Sequence, residues 1–376
     1  MKRSIIRKVY ISGYKSIRDF DAPLELGHLN VLIGANGSGK SNFMSLFEML
    51  NYIMTGSLQS YVANADGAKR LLHCSSTKSN EIICELHFEV FDDRKKTTVY
   101  DGYGLSFKRN MADNLIITSE KHYFFYDPKN VTDDDWTVAI CANTESALST
   151  PAIDNTTLKV IKDIMSGWRF YQFHDTTSGA NVFSRQYTEN SRRLYSDGGN
   201  LGPFLYNMRE KHPSSYNNIC YAIRQVAPFF RNFELEPISN NILLKWIDNS
   251  GNEMIAAQLS DGTLRFMMLV TLLMQPNPPN SIFIDEPELG LHPYAIDTIA
   301  SLIKDITKAK KAQITISTQS PALIDLFAPE DILVVEQKDG QSTFTRLSSI
   351  DLDSWLDEFS LGDAWKSNAF GGNPNE

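Results

Sequence analysis

The sequence predicts an α/β fold built on a largely parallel sheet, and three observations carry that prediction. Short apolar strands alternate with helical patterns through the last third of the chain. Residues 29–43 read as an apolar strand, a glycine-rich loop and a helix. A further apolar strand at 281–284 ends in the acidic pair Asp285-Glu286. Continuous apolar strands of this kind are typical of parallel sheets that helices cover on both faces.

The glycine-rich loop at 34–41 has the spacing G-x-x-x-x-G-K-S of a phosphate-binding loop. Its glycines allow successive N–H groups to converge on an anion, and the following helix points its partly positive N-terminus at the same spot. Lys40 is expected to reach the β- and γ-phosphates, and the Ser41 hydroxyl to ligate Mg²⁺. The nucleotide-binding residues predicted here are Asn36, Gly37, Ser38, Gly39, Lys40, Ser41 and Asn42. A plain glycine-rich turn between strand and helix is the alternative.

Composition limits the class of protein. The chain has 376 residues, with 42% hydrophobic and 22% charged, which is typical of a globular protein of one large or two ordinary domains. Its net charge of −9 argues against coating nucleic acid by bulk electrostatics, although it allows a local basic groove. The four cysteines lack C-x-x-C spacing and are expected to be reduced thiols of a cytoplasmic protein: Cys74, Cys84, Cys141 and Cys220. No apolar run approaches the ~20 residues that span a bilayer.

The strand that ends in Asp285-Glu286 fits a Walker B element. Asp285 is expected to hold Mg²⁺, and Glu286 to polarise a water for in-line attack on the γ-phosphate. On its own such a strand is weak evidence, because any strand that passes from a core into solvent can end in acidic residues. Together with the phosphate loop and the sequence LSDGT at Leu259–Thr263, it favours an ATPase.

Four motifs in order, GANGSGKS, LSDGT, IFIDEPELGLHP and ISTQSP, resemble the ABC-type ATPase heads of the SMC and RecF group. The resemblance extends to compact, coil-less RecF-like ATPases related to OLD-type and other anti-phage or toxin-linked modules. The opening YISGYKSIRDF and the ending LGDAWKSNAFGGNP are similar to that branch as well. The resemblance implies an ABC-type (P-loop NTPase) ATPase head with a mixed sheet, an antiparallel β subdomain and an inserted helical lobe.

The implied head is a single discontinuous domain, 1–376. Its N-terminal lobe, 1–130, holds Walker A and the β subdomain. A mainly helical lobe, 131–255, is inserted. The C-terminal lobe, 256–376, carries the signature, Walker B and the switch strand. The patterns predict strands at 81–91, 97–109, 122–127, 233–247, 253–258, 312–321 and 332–337, and helices at 158–165, 200–211, 216–230, 264–274 and 297–308.

The resemblance also implies a mechanism. Ser260, Asp261 and Gly262 stand at the ABC signature, with Asp261 in place of the usual first glycine, and would grip the γ-phosphate held by a second copy. Two ATP molecules with Mg²⁺ would then be enclosed in a head-to-head homodimer, which hydrolysis releases. Glu288–His292 occupies the D-loop position, which crosses the dimer seam.

Three further side chains are candidates for the site. Gln319 stands where most ABC heads carry His, and because glutamine cannot carry a proton we expect slow turnover. Gln172 is the candidate for the glutamine that contacts nucleotide and metal, with His174 nearby as either a site residue or a core histidine. Lys15, in the first turn, either reaches a phosphate or is a plain surface lysine.

Two functions compete at this point. The first is an ATPase that clamps or senses DNA or RNA; residues 185–231 contain seven Lys/Arg against three Asp/Glu, which fits such a surface or simply solvated helix faces. The second is an ATP-dependent scaffold that restrains a separate effector protein, a nuclease or toxin. The energy subunit of a membrane transporter is disfavoured by the long mixed middle of the chain and by ELGLHP.

The end of the chain bears on the second function. About 50 residues follow the ATPase strands, too few for a nuclease domain of ~100 residues such as OLD-type proteins carry. We therefore expect any nuclease or toxin activity to come from a partner. The segment with Trp355 and Trp365 is either a docking surface for that partner or a closing helix packed on its own domain.

Overall fold

The computed structural model describes residues 3–73, 81–92, 96–127, 131–140, 143–150, 153–350 and 359–372. The chain divides into two compact units. The first comprises Met1–Trp168 and Ala328–Glu376, and the second Arg169–Phe327.

The first unit opens with an antiparallel sheet, and the strand–loop–helix segment lies between the third and fourth strands of that sheet along the chain without joining it. Its strands up to residue 140 are β1 (Arg3–Tyr14), β2 (Ile17–Asp19), β3 (Leu24–Glu25), β4 (Leu29–Ile33), β5 (Glu81–Asp92), β6 (Thr97–Arg109), β7 (Leu115–Phe125) and β8 (Thr137–Ile140), and its helices are α1 (Lys40–Ile53), α2 (Leu58–Asn64) and α3 (Thr156–Met165). The antiparallel order is β2-β1-β5-β6-β7-β8, with β3 paired to β1. Alternate residues of β5 are buried, because one face of the sheet lies on a core: Ile82, Cys84, Leu86, Phe88 and Val90.

The second unit carries a short parallel sheet and small antiparallel pieces. Its strands are β9 (Trp168–Tyr171), which begins at the unit boundary, β10 (Gln186–Tyr187), β11 (Phe230–Glu234), β12 (Asn241–Ile242), β13 (Lys245–Asp248), β14 (Glu253–Ile255), β15 (Ser281–Asp285) and β16 (Gln313–Thr318). Its helices are α4 (Leu201–Lys211), α5 (Pro213–Val226), α6 (Asp261–Met274), α7 (Pro293–Lys308) and α8 (Pro321–Ile324). β15 pairs in parallel with β16 and also neighbours β9. All six residues of β16 are buried, as its apolar sequence predicts.

The chain then completes the first unit with β17 (Ile332–Lys338), β18 (Gln341–Arg346) and α9 (Leu361–Lys366). β17 pairs in parallel with β4 and antiparallel with β18. On α1, the Phe43 and Phe47 rings contact each other, and they also pack on Phe344 and Trp168 respectively. The loop between β4 and α1 is therefore supported by buried elements on either side.

The structure differs from the sequence-based assignment at several strands and helices. The strands β2, β8, β9, β10 and β18 and the helices α2 and α8 were not predicted, and the strand predicted over 233–247 is divided into β11, β12 and β13. β9 has four residues, and β18 is largely polar, with Ser342 as its one buried residue. The helix predicted over 216–230 ends at Val226, because Pro228 cannot continue it and Phe230 opens β11.

The predictions on cysteines and membrane segments concern parts of the chain that are only partly described. Cys84 and Cys220 are free and buried, whereas Cys74, Cys141 and Trp355 lie outside the described residues. Among the helices that the structure describes, none is long and apolar enough to cross a membrane.

Candidate active site

The loop between β4 and α1 requires glycine at both ends. Gly34 has φ +156°, and a Cβ there would lie 2.2 Å from the carbonyl oxygen of Val335. Gly39 has φ +115°, and a Cβ there would lie 2.0 Å from Oγ of Ser342. The loop backbone therefore packs directly on β17 and β18, which gives the glycine spacing seen in the sequence a steric basis.

Lys40 begins α1, and its ammonium lies inside the loop. Nζ donates to the carbonyl oxygens of Gly34 (2.6 Å) and Ala35 (2.9 Å), and the residue is only 6% exposed. The N-cap is Gly39, which has no side chain to satisfy the N–H groups of the first turn. A buried ammonium thus lies beside a helix N-terminus, a combination that suits phosphate. The other predicted loop residues divide into exposed Asn36, Gly37 and Ser41, half-buried Asn42, and buried Ser38 and Gly39.

A hydroxyl network that the sequence did not reveal anchors the loop. Ser342, buried on β18, donates from Oγ to the carbonyl oxygen of Ser38 (2.6 Å), and this Oγ lies 2.7 Å from Oγ of Ser16. Asn42 donates from Nδ2 to the same Ser16 hydroxyl (2.7 Å). The network joins the first turn, the loop and α1. No motif marks Ser342, which is 304 residues from Ser38 along the chain.

Lys15 lies against α1. Its Nζ donates to Oγ of Ser45 (2.8 Å), one turn beyond Ser41, and its backbone is left-handed with φ +47°. Burial lowers the pKa of the Lys15 ammonium, while the charge of Glu48 opposes that shift. The predicted contact of Lys15 with a phosphate stays a prediction.

In the second unit, Asp285 ends β15 and collects donors from the neighbouring strands. Gln172, just after β9, donates from Nε2 to Oδ2 of Asp285 (3.3 Å), and the Ser317 hydroxyl of β16 donates to Oδ1. Nε2 of His174 lies 3.2 Å from the Asp285 carbonyl oxygen. The two predicted metal ligands of this unit, Gln172 and Asp285, are therefore in contact.

Glu286 follows with a left-handed backbone, φ +44°. Its amide donates to the carbonyl oxygen of Ser317 (3.0 Å), and Nε2 of Gln319 donates to its Oε1 (2.5 Å). A non-glycine residue in this region is strained, and such strain is concentrated at functional sites. The structure thus brings together Glu286 and Gln319, the two residues of this unit predicted to be catalytic.

Glu288 adds a third carboxylate to this cluster, one that the sequence placed only at the D-loop position. Its Oε1 accepts hydrogen bonds from the Thr318 hydroxyl and from the Gln319 amide (3.3 Å). Burial raises the pKa of Glu288, and the nearby charge of Glu286 adds to that shift.

The predicted signature residues form a separate group at the start of α6. Oγ of Ser260 accepts a hydrogen bond from the Thr263 amide (3.3 Å), and Asp261 lies in the first turn, where negative charge is favourable. A Cβ at Gly262 would lie 2.2 Å from the carbonyl oxygen of Gly290. The first turn of α6 therefore touches the 288–291 loop through backbone alone, while Ser260 and Asp261 are exposed.

Arg265, on the same helix, was not singled out in the sequence. Its guanidinium donates to the carbonyl oxygens of Phe173 (2.9 Å), His174 (2.9 Å) and Leu289 (3.2 Å). One side chain thereby links α6 to the segment after β9 and to the 288–291 loop. Its only sequence signal is its place in LSDGTLR.

Comparison with solved structures decides the fold. The chain matches an SMC head bound to the C-terminal winged-helix domain of ScpA with a TM-score of 0.57 and 15% identity, over 96% of this chain and 99% of that one. It matches an SMC head with an extended coiled coil, bound to the C-terminal domain of ScpA and derived from Pyrococcus furiosus, with a TM-score of 0.54 and 12% identity, over 97% and 99%. The chain has the fold of an SMC/RecF-like ABC-type ATPase head.

A family model described as "AAA domain, putative AbiEii toxin, Type IV TA system" matches residues 152–325 of this SMC-like head. The match includes the Asp285 cluster and the signature group but not the phosphate loop. A search of curated proteins finds no match. The solved heads confirm the fold class predicted from the sequence, and the family model and these heads together support the predicted resemblance to SMC/RecF-like ABC-type ATPases.

Proposed function

We propose that this SMC-like head binds and hydrolyses Mg-ATP. The observation that carries the proposal is the loop at 34–41, which excludes a Cβ at Gly34 and at Gly39 and encloses the Lys40 ammonium. The loop also holds the hydroxyl of Ser38, which is buried and has no hydrogen-bond partner among the described residues. A phosphate oxygen would satisfy that hydroxyl together with the first-turn N–H groups of α1.

The residues proposed for the metal fit Mg²⁺ by their chemistry. They offer hard oxygen donors, namely the Ser41 hydroxyl, the Asp285 carboxylate and the Gln172 side-chain amide oxygen. Mg²⁺ would neutralise charge on the β- and γ-phosphate oxygens. In the described part of the chain there is no cluster of three or more His, Cys, Asp or Glu side chains that could hold a metal by itself, which is consistent with a metal that arrives with its nucleotide.

Glu286 is the group we assign to the attacking water. Its carboxylate would orient the water and accept its proton as the γ-phosphate bond breaks. Gln319 fixes that carboxylate through the hydrogen bond to Oε1. Because an amide cannot accept or deliver the proton, we expect turnover to be slow.

We further propose that two copies associate head to head, with Ser260, Asp261 and Gly262 of one copy at the γ-phosphate held by the other. The exposed start of α6 supports this, since a helix of 14 residues presents first-turn N–H groups to an anion. Two large apolar side chains of the adjoining segment, Leu289 and Tyr294, are 41% and 51% exposed, as expected of residues that a partner covers.

A second function, ATP-dependent control of a separate effector protein, has one supporting observation. The two SMC heads above were each solved with a bound ScpA domain, so heads of this fold can carry a protein partner. A role in DNA-linked processes or anti-phage defence rests on the sequence resemblance. Phosphate release measured with and without added DNA or RNA tests the nucleic-acid role, which a rate unaffected by either would contradict.

Lys40→Ala tests the nucleotide assignment. Without its buried ammonium the loop has no counter-charge for the phosphates, so we expect the affinity for Mg-ATP to fall by about a hundredfold or more and phosphate release to stop. Calorimetry with Mg-ATP and a phosphate-release assay measure the two effects. The exposed Lys311→Ala is the control, and unchanged binding by Lys40→Ala would contradict the phosphate-loop assignment.

A further inference from the structure

The last described segment of the chain reaches the phosphate loop. After α9 the backbone turns through Gly371 and Gly372, both left-handed with φ +84° and +83°. A Cβ at Gly372 would lie 3.6 Å from Cα of Gly34, the first glycine of the loop. Gly372 is buried, so this end of the segment is a packed contact and not a loose tail.

Two side chains, those of Trp365 and Val334, pack against Gly372. A Cβ there would lie 3.1 Å from Nε1 of Trp365 on α9 and 3.1 Å from a methyl carbon of Val334 on β17. Both distances are too short for a side chain to enter without displacing a neighbour. Glycine, with no Cβ and with a left-handed φ, therefore suits the backbone that passes between Trp365 and β17 to reach Gly34.

The Glu336 carboxylate, on β17, contacts both Gly371 and Gly372. Oε1 of Glu336 accepts a hydrogen bond from the Gly372 amide (3.2 Å), and a Cβ at Gly371 would lie 2.2 Å from that same oxygen. A side chain at Gly371 is therefore disfavoured on two counts: its left-handed φ, and this contact, which would push the Glu336 carboxylate away from the Gly372 amide. Glu336 and Val334 flank Val335, whose carbonyl oxygen is the group that a Cβ at Gly34 would strike.

We propose that Leu361–Gly372, the C-terminal buttress, holds the phosphate loop in its binding shape and so sets its affinity for nucleotide. The inference rests on the proposed function, because it concerns the same loop. The loop packs on β17 from one side, and the C-terminal buttress packs on both β17 and Gly34. Undocking the buttress would free Gly34 to move and would loosen the cage around Lys40, whose ammonium bonds the Gly34 carbonyl.

Gly371→Ala tests the C-terminal buttress. The added methyl collides with Glu336, so we expect the Kd for Mg-ATP to rise about tenfold and hydrogen exchange of residues 34–40 to speed up. Gly340→Ala is the matched control: Gly340 has φ +76° in the β17–β18 turn, and nothing lies within 4 Å of its Cβ position. It shares the backbone strain without the collision, so its Kd should stay within about twofold of wild type.

A pair of variants at Glu336 supports the test if Gly371→Ala does not fold. Glu336→Gln keeps an acceptor for the Gly372 amide and should bind Mg-ATP as wild type does, whereas Glu336→Ala should bind it more weakly. If Gly371→Ala, or Glu336→Ala in its place, lowers the melting temperature but leaves the Kd unchanged, the buttress only closes the fold and the inference fails. If wild type itself binds no Mg-ATP, the proposed function fails instead.

Discussion

Three carboxylates, Asp285, Glu286 and Glu288, lie within four residues at the end of β15, and each has different neighbours. Asp285 accepts from Ser317 and Gln172, Glu286 from Gln319, and the half-buried Glu288 from the Thr318 hydroxyl. Separate donors for each group reduce the repulsion that three adjacent charges would otherwise produce. We infer that this division lets Asp285 serve a metal and Glu286 a water, while Glu288 shapes the loop that contains them.

Glu288→Gln tests this division through pH. Because burial raises the folded-state pKa of Glu288 above its ordinary value near 4.5, the folded protein binds this proton more readily than the unfolded chain. The contribution of Glu288 to the free energy of unfolding is therefore greatest at pH below 4.5 and is lost as pH rises through the folded pKa. The free energy of unfolding of Glu288→Gln minus that of wild type should therefore be more positive at pH 7 than at pH 4.

Chemical denaturation of both proteins at the two pH values measures this difference. Glu330→Gln, at an exposed position, is the control and should show little change in the difference between the two pH values. A stability difference between Glu288→Gln and wild type that is identical at pH 4 and pH 7 would contradict the assignment.

Sequence spacing located the candidate site residues that belong to local motifs, and it did not locate the residues that support them through long-range contacts. The loop glycines, Lys40 and Asp285 each stand at a fixed distance from a strand end, so a short pattern locates them. Ser342 and Arg265 touch carbonyl groups far away in the chain, and a serine in a polar hairpin or an arginine on a helix has no local pattern. Their roles become visible only when the strands have been paired.

At the scale of elements, α6 is the piece on which the second unit's loops converge. Arg265 fixes the segment after β9 and the 288–291 loop to this helix, and Gly262 allows its first turn to touch Gly290. A movement of α6 would therefore carry both loops with it. We therefore expect nucleotide binding at the signature, residues 260–262, to shift Gln172 and the D-loop, Glu288–His292, through α6.

Arg265→Lys tests that coupling. An ammonium cannot reproduce a planar fork of donors to three carbonyl groups, so we expect the variant to lose about 1–3 kcal/mol of stability. Phosphate release should fall more than Mg-ATP affinity does, because the phosphate loop is untouched. Denaturation, calorimetry and the release assay measure the three quantities.

Arg224→Lys on α5 is the matched control, since Arg224 donates to a single carbonyl, that of Arg231, at the surface. A release rate for Arg265→Lys equal to that of Arg224→Lys would contradict the coupling role.

The strands that could be predicted are those whose burial requires an apolar sequence. β4, β15 and β16 are buried parallel strands, and their apolar runs gave correct positions. β18 was missed because its partner β17 supplies most of the apolar surface and leaves β18 free to be polar. Backbone pairing, which composition does not encode, makes it a strand.

At the scale of the whole molecule, the candidate site residues are distributed over two compact units. The phosphate loop and the C-terminal buttress belong to the first, and the carboxylate cluster and the signature group belong to the second. The likeness to SMC heads extends over nearly the whole chain and includes both units. We propose that hydrolysis also needs a second copy, whose Ser260 and Gly262 complete each site.

The mass of Glu286→Gln in solution tests this claim most directly. The variant should bind Mg-ATP but not hydrolyse it, so that nucleotide accumulates at the dimer seam. With saturating Mg-ATP, light scattering is expected to give twice the mass of one chain. With Mg-ADP, or for the double variant that also carries Lys40→Ala, it is expected to give the mass of one chain. A mass of one chain at saturating Mg-ATP, in a preparation that calorimetry shows to be loaded with nucleotide, would contradict the shared site.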